Sequence, residues 1–186
     1  MRISIGGSIG SGKSTILQRL KDDGYNVFFE PIDEWKHISK FYSDKKRWSF
    51  TFQIEVLNSF TQCTNDGLVI CERSPWESYN IFSKMLVDTG DMTADEYELY
   101  DKVYKTIAWK PDLFIYLQTT PETCYERIKK RNRNCENNID MSYLKNLHCL
   151  YEGLYTRSAV CVDANRGVDD VYAEVTALLE KTQCTS

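Results

Sequence analysis

Ten residues, Gly6 to Thr15 (GGSIGSGKST), constrain this chain more than any others. Gly7, Gly12, Lys13 and Ser14 carry the P-loop spacing of a glycine, four residues, then glycine-lysine-serine. The spacing has a chemical reason. Glycines let backbone N–H groups of Gly7, Ser8, Ile9, Gly10, Ser11 and Gly12 close around phosphate oxygens. Lys13 then reaches the outer phosphates of a nucleotide such as ATP, the Ser14 hydroxyl can ligate Mg²⁺, and Thr15 enters a helix whose positive end faces the anion. A glycine-rich turn without a ligand is the alternative. The apolar run Ile3 to Ile5 before the stretch and the helical ILQRLKDDG after it are the context a phosphate site requires.

Apolar runs mark further strands at Tyr25 to Phe29, Leu68 to Cys71, Asp112 to Leu117 and Ala159 to Val162. Helices are expected over Ile16 to Asp23, Trp48 to Cys63, Pro75 to Val87, Thr93 to Trp109 with a Thr93/Glu96 capping box, Ser142 to Tyr155 and Val168 to Lys181. Another should open at Thr120-Pro121-Glu122 and carry ERIKKRNR. The stretch Lys36 to Arg47 reads as a polar connection, Asn65-Asp66-Gly67 as a turn, and Gln183 to Ser186 as a frayed end. Strand followed by helix, five times over, predicts an α/β fold with a parallel sheet and helices on both faces, within one domain over residues 1–186. Ligands in such sheets bind at the carboxyl ends of the strands, where the glycine loop, Glu30, Glu72 to Ser74 and Asp163 all fall.

A net charge of −4 argues against a nucleic-acid backbone as partner but leaves room for a small anion. No apolar run is long enough to span a bilayer, and Met1 leads straight into the first strand, so an intracellular, cytoplasmic protein is expected. Its seven cysteines show no metal-ligand spacing and read as reduced thiols. His37 and His148 lie in no catalytic context.

A P-loop fixes a polyphosphate; other groups choose the reaction. Glu30 ends the second strand, where an acceptor hydroxyl can approach a γ-phosphate, and Glu72 ends the third beside Arg73. Solvated strand-end carboxylates are the alternative for each. Arg127, Arg131 and Arg133 lie on one helix and its exit. They form either a basic solvated face or a lid that folds charge over a transferring phosphoryl group.

The motifs GSIGSGKST, EPIDEW, FYSDKKRWSFTFQ, CERSPWESYNIF, CYERIKKRNRNCE and VDANRGVDD together resemble the deoxynucleoside kinase family from Ile3 to about Leu179. The resemblance implies a P-loop kinase fold with a five-stranded parallel sheet in order 2-3-1-4-5, an arginine-rich lid and a homodimer. It also implies ATP and Mg²⁺ as cofactors. It implies that Glu30 is the base for the sugar 5′-OH, oriented by Arg73, and that Ser14 and Glu72 form the Mg²⁺ side. Lys13, Arg131 and Arg133 then act on the transferring charge, with Arg127 beside them. Gln53 would read the nucleobase edge, Phe82 stack on the base, and Ile9, Trp35 and Phe52 complete the pocket. Tyr42 and Glu136 match the pair that holds the sugar 3′-OH, and Asn165, Arg166, Gly167 and Val168 match the segment touching adenine.

Three departures stand out. Cys135 replaces the first of two acids that family members carry after the lid arginines, Gly6 stands where relatives often have glutamate, and the chain is compact, which would suit a viral source. Deoxycytidine-preferring relatives carry a charged pair near the glutamine, where this chain has Phe60 and Ser78; Val56 is apolar as well. A glutamine amide offers a donor and an acceptor, so it can pair with thymine in one orientation and cytosine in the other. The sequence therefore predicts 5′-phosphorylation of pyrimidine deoxynucleosides, thymidine favoured and purines poor. The rivals are a nucleoside monophosphate kinase of the thymidylate kinase type, which needs a cationic acceptor pocket, and a GTP-binding switch, for which no N-K-x-D segment is present.

Overall fold

The computed structural model describes residues 1–183 except 65, 134, 135, 137, 138 and 156–158, so the readings of Asn65, Cys135 and residues 184–186 lie outside the described residues. Five parallel strands, β1 (Arg2–Gly6), β2 (Val27–Phe28), β3 (Val69–Glu72), β4 (Leu113–Gln118) and β5 (Val160–Asp163), form one sheet in the order β2-β3-β1-β4-β5, as the sequence led us to expect. The helices are α1 (Lys13–Asp22), α2 (Ile38–Ser43), α3 (Lys45–Ser59), α4 (Pro75–Glu77), α5 (Lys84–Asp88), α6 (Ala94–Ile107), α7 (Pro121–Arg131), α8 (Met141–Tyr155) and α9 (Val168–Gln183).

Two local readings change. The polar connection over residues 36–47 contains α2 and the first turn of α3. Phe41 is buried there, and the Asp44 side chain caps α3 by accepting from Arg47 N. The helices expected after β3 and β4, two after each, are present. The single helix expected over 75–87 is regular only at its ends: residues Ser78–Ser83 between α4 and α5 are a π-helical turn.

The core forms on both faces of the sheet. Ile3 and Ile5 point to α1 and α9, where Leu17, Leu20, Val175 and Leu179 are fully buried. On the other face Tyr116 packs with Leu144, Leu147, Tyr151 and Tyr155 of α8. A third cluster, Trp35, Phe41, Phe52, Val56, Phe60 and Leu86, ties α2, α3 and α5 together over the β2 side.

Strand register sets the site. Ile5 pairs with Glu72, so Glu72 ends beside the loop that leaves β1. Phe28 pairs with Cys71, so two residues further on Glu30 comes level with Arg73.

Candidate active site

The glycine loop wraps between β1 and α1. Gly10 has φ 83°, and a Cβ there would lie 2.5 Å from the Cys124 carbonyl oxygen; Gly12, at φ 98°, opens α1 in the left-handed region. Lys13 is 5% exposed, and its Nζ donates to the carbonyls of Gly7 at 3.0 Å and Ser8 at 2.8 Å. Burial, then the Arg73 charge, brings its pKa down to about 8.

Glu30 and Arg73 form a buried pair with 2.5 Å between Oε2 and Nη1. Burial raises the Glu30 pKa to about 7 against the opposing pull of Arg73. Arg73 is held from several sides: its Nη2 donates to Gly7 O at 3.3 Å, its guanidinium lies 4.8 Å from the Phe82 ring centroid, and its φ is 59°. A left-handed backbone at a non-glycine residue costs on the order of 1–3 kcal/mol and gathers at functional sites. Beside them Ser14 Oγ donates to Glu72 Oε1 at 2.6 Å. One hydroxyl and one carboxylate at the phosphate loop suit Mg²⁺, which takes few protein oxygens and completes its shell with phosphates and water.

Two cavities meet at the glycine loop. The first, about 830 Å³ including its open mouth, is lined by Ile9, Trp35, Tyr42, Phe52, Gln53, Val56, Phe82 and Glu136, with Glu30, Glu72 and Arg73 at its floor. Trp35 crosses Phe52 edge-on at 5.6 Å, and Phe41 stacks on Phe52 at 4.8 Å, which fixes the apolar wall. Trp35 Nε1 and Arg73 Nε are buried behind this wall with no hydrogen-bond partner among the described residues. Phe60 requires a correction: it lies outside the cavity lining, buried against Phe28 and Trp109. Ser78 is not a lining residue either; it reaches the cavity through Gln53, to which its hydroxyl donates at 3.2 Å.

The second cavity, on the other side of the loop, is lined by Gly10, Ser11, Gly12, Thr15, Arg127, Arg131, Arg166 and Val168. Gly10, Gly12, Thr15 and Arg131 border both. Asn165 and Gly167 do not line it. Asn165 instead holds the loop in place, accepting from Thr120 N at 3.0 Å and donating to Asp163 at 2.8 Å. Arg127 bridges Ser11 O and Ala164 O, while Arg131 and Arg133 both bond Glu136. Of the three arginines Arg127 reaches the glycine loop itself, while the exposed Arg131 and the half-buried Arg133 converge on Glu136.

Sequence reasoning missed Glu77. A Cβ on Gly6 would lie 2.5 Å from Glu77 Oε1, so the missing side chain at position 6 leaves room for a carboxylate delivered from α4. Glu77 is fully buried, accepts from Ser4 Oγ at 3.0 Å and Tyr151 OH at 3.1 Å, and burial raises its pKa. A glutamate four residues after an arginine reads as a surface residue, and only the sheet register places it under the loop. Ser83 and Tyr100, behind Gln53, were missed because the π-helical turn that aims Ser83 has no sequence signal and because Tyr100 is brought to Ser78 from α6 by packing alone.

A parallel sheet in this order with a phosphate loop, a paired carboxylate and a basic lid defines a P-loop kinase fold. The family model "Deoxynucleoside kinase" matches residues 3–182, and the chain belongs to the deoxynucleoside kinase family. It is 40% identical over 186 residues to a kinase-named protein, 029R, of Invertebrate iridescent virus 3, covering 96% of each chain. It is 32% identical over 165 residues to mitochondrial thymidine kinase 2 of Homo sapiens, covering 81% of this chain and 62% of that protein. A solved deoxyadenosine kinase from M. mycoides, with dCMP and dCDP bound, superposes with a TM-score of 0.88 at 30% identity, covering 98% of this chain and 100% of that one. The chain is therefore a deoxynucleoside kinase whose relatives differ in the base they take.

Proposed function

We propose that this kinase transfers the γ-phosphoryl group of ATP to the 5′-hydroxyl of pyrimidine deoxynucleosides, thymidine slightly ahead of deoxycytidine. The observation that carries the reading is the Glu30–Arg73 pair at the floor of the apolar cavity, on the border with the phosphate loop. Glu30 accepts the proton of the 5′-OH, and a carboxyl group raised to about 7 is matched to that task near neutrality. Arg73 orients the hydroxyl and the carboxylate. Lys13, Arg131 and Arg133 balance charge on the transferring group, and such stabilisation of developing charge supplies most of the acceleration in phosphoryl transfer. Ser14 and Glu72 would hold Mg²⁺, which neutralises phosphate charge when bound.

Gln53 reads the base edge between Phe82 and the Trp35–Phe52 wall, with Tyr42 and Glu136 at the sugar and Arg166 and Val168 at the adenine of ATP. Val56 lines the cavity and offers the thymine methyl an apolar contact worth about 1 kcal/mol, a preference of less than tenfold. The partners of Gln53 are the Ser78 and Ser83 hydroxyls rather than charged groups, so no ion pair is at hand to strengthen contacts to a larger purine edge. An isologous homodimer through residues 75–88 and α8 belongs to the same reading. Ile81, Met85 and Leu86 are buried inside the chain, so the apolar surface this run can offer a partner comes from half-buried residues such as Trp76, Tyr79 and Val87. Light scattering at micromolar concentration tests it, a monomer mass refuting it. The function itself is tested by a phosphorylation assay over the four deoxynucleosides, with thymidylate as a further acceptor. Faster transfer to thymidylate than to thymidine would reject the reading.

A further inference from the structure

The Gln53 side chain is held by groups that can each reverse their hydrogen bonds. Its Oε1 lies 3.2 Å from Ser78 Oγ and 3.4 Å from Ser83 Oγ. Ser78 Oγ is 2.9 Å from Tyr100 OH, and either hydroxyl can be the donor. Ser83 Oγ also donates to the Ser78 carbonyl at 2.9 Å, across the π-helical turn that brings both serines to one side. Gln53 and Ser78 are 3% exposed, and Ser83 and Tyr100 are fully buried, so the set must satisfy itself.

A hydroxyl carries one donor and two acceptor positions. With the amide oxygen towards the serines, the Ser78 proton goes to Gln53 and Tyr100 donates to Ser78. With the amide nitrogen there instead, Gln53 donates to Ser78 or Ser83, and the Ser78 proton turns to Tyr100. Ser83 keeps its bond to the Ser78 carbonyl in both. Tyr100 also hydrogen-bonds Ser83, whose free lone pair takes the Tyr100 proton when Ser78 donates to Tyr100. Both orientations are thereby satisfied, whereas a charged neighbour would fix one of them.

We infer that Ser78, Ser83 and Tyr100 form a reversible hydroxyl chain that lets Gln53 present either order of donor and acceptor to the nucleobase. The inference rests on the reading that Gln53 meets the base. It assigns the three residues as positioning residues for specificity: the enzyme does not discriminate a uracil-type edge, N3–H donor with O4 acceptor, from a cytosine-type edge, N3 acceptor with N4 donor.

Deoxyuridine and deoxycytidine differ in that order alone, so the test is the ratio of their kcat/KM values. In the wild type it should lie within about tenfold. Ser78→Ala removes the donor needed when the amide oxygen faces the serines, while Ser83 can still accept in the other orientation. Tyr100→Phe removes the acceptor needed by the Ser78 proton when the nitrogen faces them. The two variants should therefore move the ratio in opposite directions, by about fivefold each. Ser78→Cys, a similar shape with a weaker donor, stands in should Ser78→Ala lose its cooperative melt. A wild-type ratio beyond about tenfold, shifts in the same direction, or ratios unmoved by either variant would overturn the inference alone. Failure of the wild type to phosphorylate either nucleoside would overturn the proposed function and this inference with it.

Discussion

Glu30 and Arg73 come from neighbouring strands and meet with 2.5 Å between carboxylate and guanidinium, at the border between the phosphate loop and the apolar cavity. Glu30→Gln keeps the shape of this contact and removes the basicity. We expect kcat to fall by about 10²–10⁴ with ATP affinity retained, since ATP is held by other groups. A mutant retaining more than about a tenth of wild-type kcat would remove Glu30 from the role of base.

The same pair sets a pH dependence. Glu30 must be ionised to take a proton, and burial has raised its pKa to about 7, so kcat/KM should fall tenfold per unit as pH drops below that value. Lys13 must be charged to hold phosphates, and burial has lowered it to about 8, so capture of ATP should weaken above that pH. A pH–rate profile flat from 5 to 7 would mean that no group raised in this way controls the reaction.

The lid makes a separate prediction. Arg131 and Arg133 border the first cavity and bond Glu136, which lines it too. In the proposed role, in which both act on charge that grows during transfer, Arg131→Ala or Arg133→Ala should lower kcat by about 10² while moving nucleoside KM by no more than about threefold. Unchanged kcat in steady-state kinetics would return that arginine to a surface role.

The parts of this site that were legible are those whose chemistry demands a spacing. The glycine loop, the carboxylates at strand ends and the sheet order followed from strand-then-helix alternation and from the family pattern. What remained hidden depended on packing between distant elements. Phe60, expected in the pocket, turned to Trp109 because α3 gives way there to the 3₁₀ turn Phe60–Gln62, whose carbonyl at Phe60 accepts from Trp109 Nε1. The π-helical turn shifted the face presented by Ser83, and Glu77 entered a space that only the missing side chain of Gly6 opens.

That last relationship is testable by unfolding. Gly6→Ala would place a Cβ 2.5 Å from Glu77 Oε1 and 3.1 Å from Tyr155 OH. Overpacking of this kind costs about 1–3 kcal/mol, a fall in Tm of roughly 2–4 °C per kcal/mol at this size. Glu77→Ala in the same chain relieves the clash, so the double mutant should lose less than the sum of the two single losses. Strict additivity in thermal melts would show that the two positions do not compete for space.

The central claim is that one cavity takes a neutral pyrimidine deoxynucleoside and the other the phosphate donor, with transfer at their shared wall. The direct measurement is kcat/KM with ATP for thymidine, deoxycytidine, deoxyadenosine, deoxyguanosine and thymidylate. The account predicts 5′-monophosphates from thymidine and deoxycytidine at rates within about tenfold of each other, thymidine ahead, and both purines slower. Preference for a purine deoxynucleoside or for thymidylate, or no transfer to any of the five, would contradict it.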